Sequence, residues 1–256
     1  MGCVIFIGAG PGSADLITVR GAQRLSSADV VLHDALTDPA LRVYAPNARW
    51  IDVGKRGFDH ATAQDTIDRL LVQLAHEHAV VVRLKGGDPS VFGRLEEELL
   101  ALRAAGVPCE VVPGVTAALA AAAGSQRPLS RRGTGRSVSL TTAMTREGAL
   151  HTARSADTEV FYMAGRQLPR LGWRLVAAGW PADTAALVVS RAGWPDEAAS
   201  SHTLADLAQA ALLHGGRPTV VTVGAGATPL HPEPPRARHK TLQVDQTQDP
   251  TQTQAP

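Results

Sequence analysis

Three consecutive valines, Val80 to Val82, lead through Arg83-Leu84-Lys85 directly into Gly86-Gly87-Asp88-Pro89. A short β-branched run of this kind reads as a buried strand. The turn that follows carries almost no side chain. A glycine pair admits φ > 0 and lets backbone approach a ligand closely. In an open α/β sheet ligands bind beyond the carboxyl ends of the strands. The turn is therefore expected to wall a site, with the carboxylate of Asp88 and the cations Arg83 and Lys85 beside it. The competing reading is an ordinary strand-to-helix turn, since short loops of this kind are common.

The same unit recurs along the chain. Val4 to Ile7 is an apolar strand that ends in Gly8-Ala9-Gly10-Pro11-Gly12, and a helix is expected from about Asp15 with Leu16, Val19 and Leu25 on one side. Val30 to Leu32 ends at His33-Asp34, and Trp50 to Val53 stops at Gly54-Lys55-Arg56-Gly57. Thr62 with Asp65 resembles a capping box, opening a helix whose Ile67, Leu70, Leu71 and Leu74 recur at helical spacing. A helix through Glu97 to Ala105 and a strand over Cys109 to Val112 follow. That alternation predicts a parallel sheet covered on both faces.

A break is expected at about residues 124–136, which are polar, basic and interrupted by Pro128 and Gly133. It divides the chain into an α/β domain over 1–123 and a second over 124–230. Strands of the second are expected near Ser137–Thr142, Glu159–Met163, Ala186–Val189 and Thr219–Val223, with helices near Leu168–Ala178 and Leu204–Leu213. Residues 231–256, rich in Pro, Gln, Thr and Asp, have little to bury and read as a disordered tail.

Charge excludes some function classes. With 25 basic and 24 acidic residues the chain has no bulk attraction to nucleic acid or to a membrane surface. No apolar run reaches spanning length and no secretory leader is evident, so a soluble cytoplasmic protein is expected. The two cysteines, Cys3 and Cys109, lack a metal spacing and are expected to be free and buried. No metal is expected.

Gly8-Ala9-Gly10-Pro11-Gly12 invites a dinucleotide reading, with Asp34 where a ribose-binding acid would stand. Ser13 replaces the third glycine, however, and Pro11 lacks a backbone donor for a pyrophosphate. An adenosyl ligand without phosphates fits better. Asp34, at the end of an apolar strand, reads as a general base or as a loop cap. Lys55 and Arg56 read as anion-binding or proton-donating groups, or as surface charge. Arg127, Arg131, Arg132 and Arg136 could grip carboxylates or belong to a solvated linker. Met163 reads as core, and Glu96 to Glu98 as a solvated helix start.

Taken together, and in this order, Gly8 to Gly12, Asp29 to Leu36, Gly54-Lys55-Arg56, Arg83 to Gly93, Val112 to Ala117 and Phe161-Tyr162-Met163 resemble the uroporphyrinogen-III C-methyltransferases of the tetrapyrrole methylase family. The resemblance covers about residues 3–227. It implies two α/β domains, a parallel sheet in the first and a mixed sheet in the second, with the active site in the cleft between them. It also implies a homodimer, S-adenosylmethionine as methyl donor, and two methyl transfers to uroporphyrinogen III that give precorrin-2 for siroheme or cobalamin. By position, Asp34 matches the family's proton acceptor and Lys55 its proton donor. Cofactor contacts match Pro11, Gly86, Gly87, Asp88, Val91, Thr116, Ala117, Met163 and Ala192. Lys55, Arg56, Arg94, Arg131 and Arg132 are the cations set against the substrate's carboxylates.

Three departures fall on the acceptor side. Leu95 and Glu96 stand where the family has two glycines, Arg131 replaces a histidine, and Thr142-Ala143-Met144 stands for Thr-Gly-His. They leave open a family member acting on a later corrin precursor, and a non-catalytic tetrapyrrole-binding protein. A nicotinamide or flavin enzyme is disfavoured by Pro11 and Ser13.

Overall fold

The computed structural model describes residues 1–54, 64–144 and 154–230. Lys55, Arg56, the Thr62 cap and the tail at 231–256 lie outside the described residues. The first sheet is wholly parallel and contains β1 (Cys3–Gly8), β2 (Val30–His33), β3 (Arg49–Asp52), β4 (Val80–Lys85) and β5 (Cys109–Val112), in the order β3-β2-β4-β1-β5. Helices α1 (Val19–Leu25), α2 (Gln64–Glu77) and α3 (Leu95–Ala104) connect its strands.

Alternation along the strands divides their side chains between two cores. Val4, Phe6, Val30, Leu32 and Val81 pack with Ile67, Leu71 and Leu74 of α2 and Leu102 of α3. Ile5, Ile7, Val31, Val82 and Leu84 face the other way, onto Leu25 of α1 and Leu41. The connection leaving β1 therefore runs over one face and that leaving β4 over the other. Adjacent strands whose connections diverge in this way open a crevice at their carboxyl ends.

The second sheet is mixed. It holds β6 (Val138–Thr142), β7 (Thr158–Tyr162), β8 (Ala185–Ser190), β9 (Ala198–Thr203) and β10 (Thr219–Gly224), in the order β6-β7-β10-β8-β9. Only β6 and β7 run parallel; the other pairings are antiparallel. One face packs on α5 (Leu168–Ala177), through Leu168, Leu171 and Leu175. The opposite face is covered by α4 (Ala117–Gly124). Its Ala118 lies against Val160, Tyr162 and Val220, and its Ala121 against Leu187 and Val189. Small side chains let this helix lie close to the sheet, and it carries the chain from the first sheet to the second.

Several local expectations are corrected. The helix expected from Asp15 is broken: Ala14–Leu16 is a single 3-10 turn, and α1 begins after Thr18, whose hydroxyl accepts from the Gly21 amide at 3.0 Å. The helix expected over Leu204–Leu213 is a 3-10 turn, Leu207–Ala210, followed by the short α6 (Ala211–His214). Strand β9, with the sequence Ala-Ala-Ser-Ser-His-Thr, was not anticipated; it is an edge strand and lacks the apolar alternation that marks its neighbours. Cys109 is exposed rather than buried. Met163 leaves β7 in the left-handed region, with φ of 56°, and is 41% exposed rather than core.

A candidate ligand cleft between the two sheets

The loops after β1, β4 and β5 meet backbone to backbone. Gly10 and Gly87 form a two-way bridge, with the Gly87 amide donating to the Gly10 carbonyl at 2.7 Å and the Gly10 amide returning at 3.3 Å. A Cβ at Gly114 would lie 2.3 Å from the Gly87 carbonyl oxygen and 2.7 Å from the Gly8 Cα. Glycine is required at this junction because no side chain fits between the three loops. Asp88 fastens it: Oδ2 accepts from the Gly114 amide at 2.9 Å and Oδ1 from the Ser90 amide at 2.8 Å. The residue expected to hold ligand thus also clamps the loop after β4 to the loop after β5.

Against this floor stands the second sheet, and between them lies a cavity of about 270 Å³, toward the lower end of small-ligand pockets (~300 Å³). Its walls include Pro11, Gly86, Gly87, Asp88, Val91, Thr116, Ala117, Met163 and Ala192. These are the nine positions matched to cofactor contacts, drawn from both sheets. Asp34 and Lys85 line it as well. The remaining wall is largely apolar, with Leu36, Phe92, Tyr162, Val189 and Val220. The Phe92 and Tyr162 rings lie 5.1 Å apart. Tyr162 Oη and Thr116 Oγ1 share a hydrogen bond of 2.8 Å across the two sheets, and burial raises the phenol's pKa. Phe92, Met163 and Arg191, all cleft-lining, have φ of 52° to 56°. Non-glycine residues held there store backbone strain, which clusters at ligand sites.

Behind Asp34 lies an ionic network that the sequence reading missed. Arg83 Nη2 donates to Asp34 Oδ1 at 2.6 Å and Arg83 Nε to Glu98 Oε1 at 3.2 Å; Lys85 Nζ donates to Glu98 Oε2 at 2.8 Å. Arg83, Lys85 and Glu98 are buried, while the Asp34 side chain is 33% exposed. Burial pulls the Arg83 pKa down, but the carboxylates of Asp34 and Glu98 outweigh it and the net shift is upward. Lys85 is shifted down by burial and by the charge of Arg83. Two cations and two anions balance, so each charge has a partner; removing one partner of a buried ion pair costs about 3–5 kcal/mol. Glu98 is therefore no part of a solvated helix start. The available signal was the strand itself. Arg83 and Lys85 share the face of β4 that α2 and α3 cover, and buried cations there require a buried acid.

Of the substrate cations named from sequence, Lys55 and Arg56 lie outside the described residues, and Arg94, Arg131 and Arg132 do not line the cleft. Arg94 precedes α3 in the left-handed region, without a capping hydrogen bond, and is bound by Glu97 at 2.9 Å, at a hollow beside the cleft. Arg131 sits on a tight hairpin with Gly135 and donates to the Thr228 carbonyl, and the adjacent Arg132 is exposed; neither lines the cleft. Arg127 is buried, donating to the Ala227 carbonyl at 2.8 Å and to Ser201 Oγ at 2.6 Å, which makes it a structural tie. Among the described residues the arginine that lines the cleft is Arg191. It stacks on Trp194 with 4.4 Å from Cζ to the ring centroid, and its Nε meets Asp196 Oδ1 at 2.6 Å. Its loop docks on the first sheet, where the Ser13 amide donates to the Gly193 carbonyl at 2.8 Å. Among the described residues no cluster of His, Cys, Asp and Glu could hold a metal ion, and no helix is long and apolar enough to cross a membrane.

A crevice at the divergence of two parallel strands, closed by a mixed second sheet and floored by interlocked glycine turns, defines an α/β two-sheet small-ligand protein. Comparison with known proteins places it further. The family Tetrapyrrole (Corrin/Porphyrin) Methylases matches residues 3–208, and the chain belongs to that family. It is 40% identical over 234 residues to a uroporphyrinogen-III C-methyltransferase of Synechocystis sp., covering 88% of this chain and 89% of that one. It is 41% identical over 220 residues to a siroheme synthase of Psychrobacter cryohalolentis, covering 84% of this chain and 42% of the relative; the chain spans less than half the length of that longer protein. The crystal structure of a Thermus thermophilus uroporphyrin-III C-methyltransferase complexed with S-adenosyl homocysteine is similar at a TM-score of 0.77 and 35% identity, covering 88% of this chain and 98% of that one.

Proposed function

We propose that this protein is an S-adenosylmethionine-dependent uroporphyrinogen-III C-methyltransferase, carrying two methyl groups to pyrrole carbons to give precorrin-2. The observation that carries the reading is the convergence of Pro11, Gly86 to Asp88, Thr116, Ala117, Met163 and Ala192 on one cleft that Asp34 also lines. The cleft suits the donor. Its floor is backbone, it has an acid at either side in Asp34 and Asp88, and Gly87 with φ of 71° lets main chain approach closely. When bound, the donor supplies an electrophilic methyl on a sulfonium sulfur.

This chain's own residues do the rest. The walls hold the acceptor carbon in line with the methyl group, and such positioning lowers the barrier by confining the reactants. Once the methyl group is transferred the macrocycle must shed a proton, which Asp34 accepts; Lys55 is the proposed proton donor. Arg191 faces the acceptor's carboxylates within the cleft. Arg56, Arg94, Arg131 and Arg132 are proposed as outer contacts of a macrocycle wider than the cavity. Val91 and Phe92 complete the apolar side. The reading includes domains at 1–123 and 124–230, a homodimer and a cytoplasmic setting.

Purified protein incubated with S-adenosylmethionine and uroporphyrinogen III tests it. The expected product is heavier by two methyl groups and has the altered absorbance of precorrin-2. Unchanged uroporphyrinogen III beside tight S-adenosylhomocysteine binding would reject this acceptor, and a methylated later corrin precursor would assign the chain to another branch of the family.

A further inference from the structure

We propose that Glu98 is a positioning residue for Asp34, acting through Arg83. The inference rests on the reading of Asp34 as the proton acceptor.

Every arm of the Arg83 guanidinium is committed. Nε donates to Glu98 Oε1 at 3.2 Å, Nη1 to the Leu84 carbonyl at 3.3 Å, and Nη2 to Asp34 Oδ1 at 2.6 Å. A planar fork held at two points can present its third in one direction. Glu98 supplies the anchor that is not backbone. It is itself held from three sides: by Arg83, by Lys85 Nζ at 2.8 Å, and by the Gln64 side-chain amide at 3.2 Å from the first turn of α2. Glu98 and Leu102 are the buried residues of α3, one helical turn apart, so the helix register that seals the core also turns this carboxylate onto β4.

Without the Glu98 charge, Arg83 and Lys85 would be two buried cations on one strand face with only Asp34 between them. Both would compete for Asp34, and its carboxylate would lose the fixed direction in which it meets the cleft. Misplacing a reacting group by about 1 Å can cost on the order of a hundredfold in rate.

The test uses the full chain with Glu98→Gln, which keeps the size but exchanges one acceptor oxygen for a donor and removes the charge that fixes two cations. Single-turnover methyl transfer is measured at saturating S-adenosylmethionine, together with KM for uroporphyrinogen III and the S-adenosylhomocysteine Kd. The expected rate falls roughly tenfold to a hundredfold, while KM and Kd stay within about threefold. In an Asp34→Asn background the same substitution is expected to lower the residual rate by less than about threefold, since residues that act as a unit are not additive. A full rate in Glu98→Gln, or full additivity in the double variant, overturns the proposal while leaving Asp34 in its role. A full rate in Asp34→Asn alone overturns the Asp34 reading and the proposal with it. Should Glu98→Gln lose S-adenosylhomocysteine binding through misfolding, Arg83→Lys carries the test. A flexible ammonium lacks the fixed fork that ties Glu98, the Leu84 carbonyl and Asp34 together, so the same rate loss is expected with Kd retained, and a full rate refutes positioning.

Discussion

Adding one methyl group at Gly114 should disable the cleft floor. The Cβ of Gly114→Ala would sit 2.3 Å from the Gly87 carbonyl oxygen and 2.7 Å from the Gly8 Cα, and both obstacles are backbone atoms. No rotamer change relieves the overlap, so one of the three loops must move by roughly 1 Å to restore ordinary contact. Over-packing of this kind costs about 1–3 kcal/mol. The shift also pulls the Gly114 amide from Asp88 Oδ2, now at 2.9 Å, and a hydrogen bond to a charged group contributes about 1.5–3 kcal/mol. The expected loss of stability is therefore about 2.5–6 kcal/mol. Because Gly87 and Asp88 line the cleft, S-adenosylhomocysteine affinity should fall at least about tenfold, equivalent to 1.4 kcal/mol. Denaturant unfolding and titration calorimetry read the two effects. Gly106→Ala is the control: φ there is +69°, but nothing lies within 4 Å of the added Cβ. It should cost about 1–2 kcal/mol of backbone strain and leave ligand affinity unchanged. A Gly114→Ala protein that binds S-adenosylhomocysteine within twofold of wild type would refute the interlocked-glycine account of the cleft.

Other outcomes follow from the same geometry. Arg191→Gln should raise KM for the polycarboxylate acceptor about tenfold with little change in S-adenosylhomocysteine Kd; a change confined to the Kd would place Arg191 at the donor's carboxylate instead. Asp34→Ala should lower turnover at least about a hundredfold, the usual contribution of a positioned base, with S-adenosylhomocysteine affinity nearly intact. His214 is buried between Ser190 Oγ and Ser200 Oγ, at 2.9 Å from each. Burial, with the charges of His202 and Arg217, lowers its pKa from 6.5 to about 4. The unfolded chain therefore binds the extra proton, and the stability contributed by neutral His214 is complete above about pH 6.5 and lost as pH falls toward 4. The ceiling of that loss is about 3 kcal/mol, and urea unfolding of wild type against His214→Gln across this range should show it as a difference in slope with pH.

The first sheet and the turns that line the cleft were legible because their signals are local. Each apolar strand ends in its own turn, and Gly86-Gly87-Asp88 or Thr116-Ala117 can be placed at a sheet edge without knowing what packs over it. The placement of the arginines was less legible. Arg127, Arg131 and Arg132 are neighbours in sequence, but a buried tie, a hairpin and the surface separate them in space. Arg191, which does reach the cleft, sits in a turn with no basic neighbour to draw attention. Glu98 lies among three consecutive acids, and only the register of α3 over β4 distinguishes the buried one from the exposed pair beside it. Strand β9 exists because β8 offers it an edge, which its own small polar residues do not announce.

A crystal structure with S-adenosylhomocysteine bound bears most directly on the central claim that the cleft between the two sheets is the methyl-donor site. The account predicts the ligand against Gly86 to Asp88, Thr116, Ala117 and Ala192, with its sulfur turned toward the side of the cleft that Asp34 lines. Ligand bound elsewhere, such as the hollow at Arg131 and Trp180, or in the cleft with its sulfur turned away from Asp34, would contradict it.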